Sequence, residues 1–312
     1  MINTVLGQIE PGDLGNTSVH EHLVGALRVT PPECIREESD FAAAELKKAK
    51  AAGLDTIIEV SPRADKDQLI YIAEHSPVNI VACTGFYCFW TDEEKEYSIE
   101  KFLEHMLYEA EYGIGGSGIL PGVIKIASYR PNLLPCEVRA LTAAGIAQKK
   151  TGLPMCVHSA TGTRYQQYLI EAAGADMERV YFSHLESPTD REGRTLQMQI
   201  DYIIETMRRG SYVSFNGFLC PSYLNPDEIA EMVKQIVAAG LTNKFLISLD
   251  TYWTYTDGRM RFNNDESDPS VRERTYPFLM TRVLPWLKEI GIMETDIEKM
   301  IRGNVYELFG GK

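Results

Sequence analysis

The tripeptide His20-Glu21-His22 has the clearest chemical potential in this sequence. It follows the short β-prone segment Thr17–Val19. In a β-strand, residues two positions apart point to the same face, so both imidazoles can aim at one point while Glu21 points away. Two imidazoles on a rigid strand end supply half of a metal site. A His-x-His pair also fits two ordinary histidines in a packed strand, so the other candidate ligands must decide between these interpretations.

Three more polar side chains stand where apolar segments end: His158, His184 and Asp250. If those segments are parallel strands of a barrel, their C-terminal ends meet at one face, where the active sites of barrel enzymes lie. Four of the six histidines of the chain therefore belong to predicted strand ends. The other two, His75 and His105, fall in predicted helices, and we expect structural roles for them.

Lys125 lies inside the apolar segment Gly122–Ala127. Burial of an unpaired ammonium group is costly and lowers the pKa of a lysine. In one interpretation the side chain extends to the rim and pairs with a carboxylate. In the other, the neutral amine reacts with carbon dioxide, and the resulting carbamate is an anionic ligand whose two oxygens can bridge two metal ions. The histidines and Asp250 on neighbouring strands favour the carbamate.

The elements that must position these residues alternate along the chain. Eight short apolar segments are predicted strands: Thr17–His20, Thr56–Ser61, Ile80–Thr84, Gly122–Ala127, Met155–His158, Val180–His184, Tyr212–Asn216 and Phe245–Asp250. Amphipathic segments between and after them are predicted helices: Phe41–Ala52, Lys66–His75, Ile99–Tyr112, Cys136–Lys150, Gln166–Ala173, Leu196–Arg209, Pro226–Ala239, Val271–Ile290 and a tail, Glu294–Phe309.

Strict alternation of strand and helix indicates βα units and a parallel sheet. Eight such units predict a closed (β/α)8 TIM barrel, for which about 250 residues is typical. We therefore predict a single barrel domain over residues 1–312. A doubly wound open sheet is the alternative, but it usually has fewer strands, and no Gly-x-Gly-x-x-Gly turn follows the first strand.

Composition narrows the classes of partner. The net charge of −13 argues against nucleic acid or an anionic membrane, because both require a basic surface. The sequence has no signal-peptide pattern and no apolar run of transmembrane length. Its six cysteines include no Cys-x-x-Cys pair, which in a chain of this length indicates reduced thiols. We expect a cytoplasmic homodimer that binds a small-molecule substrate.

From end to end the sequence resembles the phosphotriesterase-like branch of the amidohydrolase superfamily, which includes lactonases. The resemblance depends on the order and spacing of short motifs, each weak alone: Gly15–Leu23, Cys83–Tyr87, Val123–Ala127, Val157–Ser159, Ser183–His184, Ser248–Asp250 and Arg302–Phe309. It implies an amidohydrolase-type barrel with a dinuclear metal centre.

The resemblance also implies a role for each candidate ligand. A buried ion would be held by His20, His22 and Asp250. A more exposed ion would be held by His158 and His184, and a carboxylated Lys125 would bridge both ions. Two divalent ions about 3.5–4 Å apart generate a bridging hydroxide at neutral pH and polarise the scissile bond. Asp250 can take the proton of that hydroxide during attack. Zinc suits these ligands, and manganese, cobalt or iron also fit.

The implied reaction is metal-dependent hydrolysis. A carboxylic ester or lactone is the first choice of substrate, an amide of a small N-acyl compound the second, and a phosphotriester the third. The competing hypothesis is a non-catalytic barrel that binds metal for stability or sensing. Structural metal sites are normally coordinatively closed, whereas this ligand set implies an open, bridged centre, so we favour the enzyme.

The prediction of the substrate pocket depends on less specific sequence features than that of the metal centre. Lactonases resemble this chain at Gly85–Tyr87, but they usually carry an arginine just after strand seven, which Ser214–Leu219 lacks, and Leu185–Ser187 also departs from the usual pattern. The segment 251–270 is long, aromatic and charged, and such loops are often functional. The alternative is a surface segment whose aromatic side chains cap the barrel and whose arginines balance nearby acids. The candidates for substrate contact are Tyr87, Tyr129, Arg130, Trp253, Arg259 and Arg261.

Overall fold

The computed structural model describes residues 1–24, 31–128, 132–159, 163–187, 193–220, 224–256, 259–262 and 273–311. Residues 254–256 and 259–262 are described by their backbone alone. No helix in these ranges is both long enough and apolar enough to cross a lipid bilayer.

Most of the strands belong to one parallel barrel. The strands are β1 (Ile2–Thr4), β2 (Gly7–Ile9), β3 (Thr17–Glu21), β4 (Thr56–Glu59), β5 (Asn79–Val81), β6 (Cys83–Phe86), β7 (Val123–Ser128), β8 (Met155–Ser159), β9 (Val180–Ser183), β10 (Tyr212–Phe215), β11 (Phe245–Ile247), β12 (Trp253–Thr256) and β13 (Arg259–Phe262). Strands β3 to β5 pair in parallel, as do β6 to β11. The pairs β1–β2 and β12–β13 are antiparallel hairpins outside the barrel.

The barrel closes between its first and last strands. The backbone N–H of Asp250 donates to the carbonyl of His20 at 3.0 Å, and the Ser248 hydroxyl donates to the same carbonyl at 2.8 Å. The backbone N–H of His22 donates to Thr251 at 3.0 Å. Since β5 and β6 are two halves of one barrel strand, the structure confirms the predicted (β/α)8 TIM barrel.

The helices surround this barrel. They are α1 (Ile35–Ala51), α2 (Lys66–Glu74), α3 (Asp92–Lys95), α4 (Ile99–Tyr112), α5 (Pro135–Thr151), α6 (Thr163–Ala172), α7 (Leu196–Arg208), α8 (Pro226–Ala238), α9 (Leu284–Glu289), α10 (Glu294–Glu298) and α11 (Asn304–Gly310). The side chains of Asp65, Ser98, Thr195 and Asn225 accept backbone N–H groups at the starts of α2, α4, α7 and α8. Such N-caps satisfy donors that have no partner inside the helix.

Some predicted boundaries were wrong for identifiable reasons. The last barrel strand ends at Ile247 rather than Asp250, because the N–H groups of Leu249 and Thr251 donate to the Glu21 carboxylate instead of a neighbouring strand. The predicted helix Val271–Ile290 includes tight turns around Pro277, where Phe278 N–H donates to Thr275. A residue that precedes a proline is disfavoured in the helical conformation, so the helix begins only beyond this point.

The half of the barrel interior near the N-terminal ends of the strands is apolar. Tyr181 is fully buried there, its hydroxyl donates to the carbonyl of Val19 at 2.8 Å, and it packs among the side chains of Ile58, Val123 and Leu246. Polar side chains inside the barrel are therefore concentrated toward the C-terminal ends of the strands.

Three buried carboxylates, Glu21, Glu59 and Glu186, hold these strand ends together. Each accepts two backbone N–H groups. Glu21 accepts those of Leu249 and Thr251, Glu59 those of Leu23 and Ser61, and Glu186 those of Asn216 and Gly217. Burial raises the pKa of Glu21 to about 8, raises that of Glu59 and raises that of Glu186 to about 7. These carboxylates fix the loops that carry the candidate ligands.

Candidate metal centre

Five of the predicted ligands converge at the C-terminal end of the barrel. Two groups of three side chains bring their ligand atoms within 4.8 Å of one another: His20, His22 and Asp250, and His20, His158 and His184. Asp250 Oδ1 lies 3.3 Å from His20 Nε2 and 3.1 Å from His22 Nε2. Its second oxygen, Oδ2, lies 3.8 Å from His184 Nε2. The first group has the composition expected for the buried ion.

Two of these residues have strained backbones. His184 and Asp250 adopt left-handed conformations, with φ of 74° and 54°. Non-glycine residues seldom occupy this region, and such positions cluster at functional sites. Hydrogen bonds from His184 N–H to Ser214 (3.3 Å) and from Asp250 N–H to His20 (3.0 Å) hold both turns. The chain therefore bends sharply at the end of a strand, where each side chain joins the centre.

The charge states of the side chains suit a cation. Burial lowers the pKa of His20 and His158 well below the ordinary value and lowers that of His184 to about 4. Burial acts to raise the pKa of Asp250, but the positive charge that His184 carries when it is protonated at low pH, and a hydrogen bond from His22, hold it below its usual range. At neutral pH these three imidazoles are uncharged and can offer lone pairs, and the carboxylate is ionised.

Hydrogen bonds to the outer ring nitrogens orient three of the imidazoles. The Nδ1 atoms of His20 and His22 lie 2.8 Å from Ser183 Oγ and 2.7 Å from Ser61 Oγ. A hydroxyl can donate or accept, so these serine contacts orient both rings with either Nδ1 or Nε2 protonated. On the inner side of the ring, His22 Nε2 lies 3.1 Å from Asp250 Oδ1.

The third oriented imidazole is that of His184, whose Nδ1 lies 3.1 Å from the Asn216 amide. Sequence reasoning missed Ser61, Ser183 and Asn216 as supporting residues. Each lies at or just beyond the C-terminal end of a barrel strand, so a survey of all polar residues at those ends would have found them.

Lys125 is fully buried on β7. Its Nζ lies 3.0 Å from His20 Nε2 and 3.7 Å from Cys156 Sγ, and no described carboxylate forms an ion pair with it. The rim interpretation is therefore wrong, because the amine stays inside the barrel. Gly85 makes room for this strand: a Cβ there would lie 1.9 Å from the Lys125 carbonyl oxygen, and its φ is 128°.

These residues fit a bound metal. His184 Nε2 is buried and has no hydrogen-bond partner among the described residues, which is expected of an atom positioned as a ligand. Uncharged imidazoles and a carboxylate form a nitrogen and oxygen donor set that suits zinc and other divalent transition metals.

The predicted substrate contacts have different locations. Tyr87 is beside the centre, with its ring centroid 5.6 Å from that of His158 and 5.9 Å from Lys125 Nζ. Tyr129 and Arg130 lie outside the described residues. Arg259 and Arg261 lie on β13, where only the backbone is described. Substrate contact stays a prediction for all of them.

Trp253 is almost fully buried. Its ring makes edge contacts with Phe41 and Tyr276, and its Nε1 donates to Glu38 at 3.2 Å. This burial favours a packing role over the substrate contact that the sequence suggested.

Comparison with known proteins agrees with this geometry. The model of the phosphotriesterase family matches residues 1–309. The chain is 27% identical to an aryldialkylphosphatase of Saccharolobus solfataricus over 317 residues, covering 96% of each protein. It is 25% identical to an N-acetyltaurine hydrolase of Rattus norvegicus over 354 residues, covering 97% of this chain and 96% of the relative. The structure of a variant PTE-like lactonase from Deinococcus radiodurans superposes with a TM-score of 0.85 at 24% identity, covering 99% of this chain and all of the other.

Proposed function

The chain belongs to the phosphotriesterase family of hydrolases, and we propose that it is a dinuclear metal-dependent hydrolase of a carboxylic ester or lactone. The observation that carries this proposal is the convergence of four histidines and Asp250 around the buried amine of Lys125. These residues come from five different strands or strand ends, so a role in local folding does not explain their meeting.

The proposed ligands divide into two sets. His20, His22 and Asp250 hold one ion, and His158 and His184 hold the second. Within the described residues, the only third ligand grouped with that second pair is His20, which already serves the first ion. A carbamate on Lys125, whose Nζ lies 3.0 Å from His20 Nε2, would supply the missing ligand oxygens. When bound, two such ions activate a water molecule and polarise the scissile bond.

The protein residues have separate tasks in this reaction. The Asp250 side chain is 27% exposed, whereas those of His20, His22 and His184 are at most 8% exposed. An ionised carboxylate on the open side of the centre is placed to accept a proton as the nucleophile attacks and to pass it to solvent. The histidines would bind the ions, and hydrogen bonds to the Nδ1 atoms of His20, His22 and His184 hold those rings in place.

The ester or lactone assignment is supported by Tyr87, which lies at the centre as the resemblance to lactonases suggested. Amide hydrolysis is the second candidate, because a relative that matches nearly the whole chain is named N-acetyltaurine hydrolase. Phosphotriester hydrolysis is the third, in keeping with the aryldialkylphosphatase relative.

A substrate panel on reconstituted protein tests this proposal. The purified protein is stripped with a chelator, reloaded with zinc, manganese, cobalt or iron(II), and assayed on lactones, aryl esters, N-acyl amino acids and paraoxon-like triesters. Turnover that rises with metal content up to two ions per chain, and that is highest on esters or lactones, supports the proposal. Higher turnover on amides or triesters would replace the substrate class. Binding of metal without turnover on any substrate would favour the non-catalytic barrel.

A further inference from the structure

We propose that Asn216 is a positioning residue that sets the tautomer of His184. Its amide oxygen accepts the Nδ1 proton of the imidazole, so that Nε2 keeps a lone pair for metal binding. This inference rests on the proposed metal centre and assigns a role to a residue that contacts no ligand-binding atom itself.

A neutral imidazole carries a single proton, on Nδ1 or on Nε2. The His184 ring is buried, and its Nε2 has no hydrogen-bond partner among the described residues. If the proton is on Nδ1, Nε2 can bind an ion; if it is on Nε2, ligation there is blocked. The group that faces Nδ1 therefore decides whether Nε2 is a ligand.

That group is the Asn216 side chain, whose Nδ2 lies 3.1 Å from Nδ1. An amide nitrogen can only donate, so in this orientation the imidazole proton is forced onto Nε2. A half-turn of the amide exchanges its oxygen and nitrogen at nearly unchanged positions. The oxygen then accepts the Nδ1 proton, and Nε2 is freed.

The hydrogen bonds on the other side of the amide favour this reversed orientation. Ser248 Oγ lies 2.8 Å from the His20 carbonyl oxygen and 2.9 Å from Asn216 Oδ1, both of which are acceptors. One hydroxyl proton cannot satisfy both. With the amide reversed, Ser248 donates to His20 and accepts from Asn216 Nδ2. Ser214 Oγ lies 3.2 Å from Asn216 Oδ1 before the amide is reversed. After the reversal Nδ2 takes the place of Oδ1, and its second proton points to Ser214 Oγ.

Hydrogen bonds to both the N–H and the carbonyl fix the backbone of Asn216, so only its side-chain amide is free to turn. Its N–H donates to Glu186 at 2.6 Å, and its carbonyl accepts from Arg274 Nη2 at 2.7 Å. Both partners are buried. The distance from Asn216 to the His184 ring is thereby fixed by the fold.

The other two oriented histidines differ in one respect. His20 and His22 contact serine hydroxyls, which can donate or accept. An amide group presents either a donor or an acceptor, so Asn216 makes the tautomer of His184 depend on one side-chain orientation.

Two substitutions separate a tautomer role from a packing role. Asn216→Asp keeps an acceptor toward Nδ1, whereas Asn216→Leu fills a similar volume without one. Zinc binding is measured by competition with a chromophoric chelator, and unfolding of the metal-free variants is measured alongside it. Asn304→Leu is the matched control, because Asn304 is a buried amide that donates to Thr242 and Phe245 carbonyls away from the centre.

We expect Asn216→Leu to lose about 10- to 100-fold in zinc affinity at one of the two sites. Asn216→Asp and Asn304→Leu should keep the wild-type affinity. In ¹⁵N-histidine-labelled, zinc-loaded protein, the Nδ1–H signal of His184 should be present in the wild type and Asn216→Asp and lost in Asn216→Leu. With only six histidines in the chain, these signals can be assigned by substitution.

The outcomes distinguish the two proposals. Wild-type protein that binds fewer than two ions would contradict the proposed function and this inference with it. Two ions in the wild type with equal affinity in Asn216→Leu would overturn the inference alone. An Asn216→Asp variant that loses as much affinity as Asn216→Leu would also overturn it, because an acceptor at this position would then be insufficient.

Discussion

Lys125 Nζ lies 3.0 Å from His20 Nε2, across the interior of the barrel from β7 to β3. The same nitrogen of His20 belongs to both groups of candidate metal ligands. An N–H donor and a metal ion cannot share one lone pair, so the amine must change before His20 can bind. The proposed conversion of the amine to a carbamate would turn this neighbour from a competing donor into an anionic partner ligand.

Lys125→Ala is therefore expected to bind fewer than two ions per chain and to lose turnover. Short-chain carboxylates such as acetate or propionate should partly restore both, since they can occupy the place of the carbamate. Elemental analysis and turnover with and without the additive are the measurements. Lys48→Ala, which removes an exposed lysine on α1, is the control. A fully metallated, active Lys125→Ala without additive would exclude the bridging role.

Asp250→Asn tests the proton acceptor. The amide is similar in size but cannot take a proton, so kcat and kcat/KM should fall together, by about 10²–10⁴-fold. Loss of a ligand charge would add to this decrease, so metal content is measured in the same samples. Asp296→Asn, on α10, is the control. A raised KM with unchanged kcat would mean that Asp250 only positions the substrate.

The convergence of the candidate metal ligands was predictable because these residues interrupt apolar segments at strand ends. His20, His158 and Asp250 stand out in the sequence because polar residues are unexpected at the end of a buried strand. His105 lies on α4, as predicted, and contacts Glu109. His75, predicted to be the last residue of a helix, directly follows α2, where it contacts the Tyr71 carbonyl.

The features that could not be predicted from the sequence depend on contacts between residues far apart in the chain. The end of β11 is set by Glu21, 228 residues away from Leu249, and no local pattern contains that information. The segment 251–270 is predicted to be a loop, although β12 and β13 lie within it and its dipeptide Asp257-Gly258 is a typical hairpin turn signal. Aromatic residues in a loop give no indication of the side to which they pack, so the sequence does not predict the contacts of Trp253 with Phe41 and Tyr276.

The packing role of Trp253 predicts a stability effect. Trp253→Ala should lower the free energy of unfolding by about 3–5 kcal/mol, the usual cost of removing a large buried aromatic side chain. Trp253→Phe should lose much less, because a ring remains against Phe41 and Tyr276 while the hydrogen bond to Glu38 is lost. Chemical denaturation gives these values, and KM on the best substrate of the panel gives the comparison. A changed KM in Trp253→Phe with unchanged stability would restore the pocket role.

Metal binding should also stabilise the fold, because the ligands come from strands that are distant in sequence. At a free zinc concentration 100 times the dissociation constant, one site contributes about 2.7 kcal/mol to the free energy of unfolding. Denaturation curves of chelator-treated and zinc-loaded protein measure this difference. His22→Ala, which removes one candidate ligand, should show a smaller increase. An equal increase in both proteins would indicate that zinc binds elsewhere.

The segment after Asp250 predicts a preference for charged substrates. Antiparallel pairing places Arg261 opposite Thr254, four residues beyond Asp250, so β13 returns toward the proposed metal centre. A guanidinium group there can bind a carboxylate or phosphate through paired hydrogen bonds. If anionic members of an ester or lactone series are preferred, Arg259→Ala or Arg261→Ala should reduce that preference by roughly 1.5–3 kcal/mol in kcat/KM. Arg282→Ala, at an exposed position before α9, is the control. An unchanged preference in both variants would mean that the two arginines are surface charges, and specificity would then have to come from Tyr87 and the residues around it.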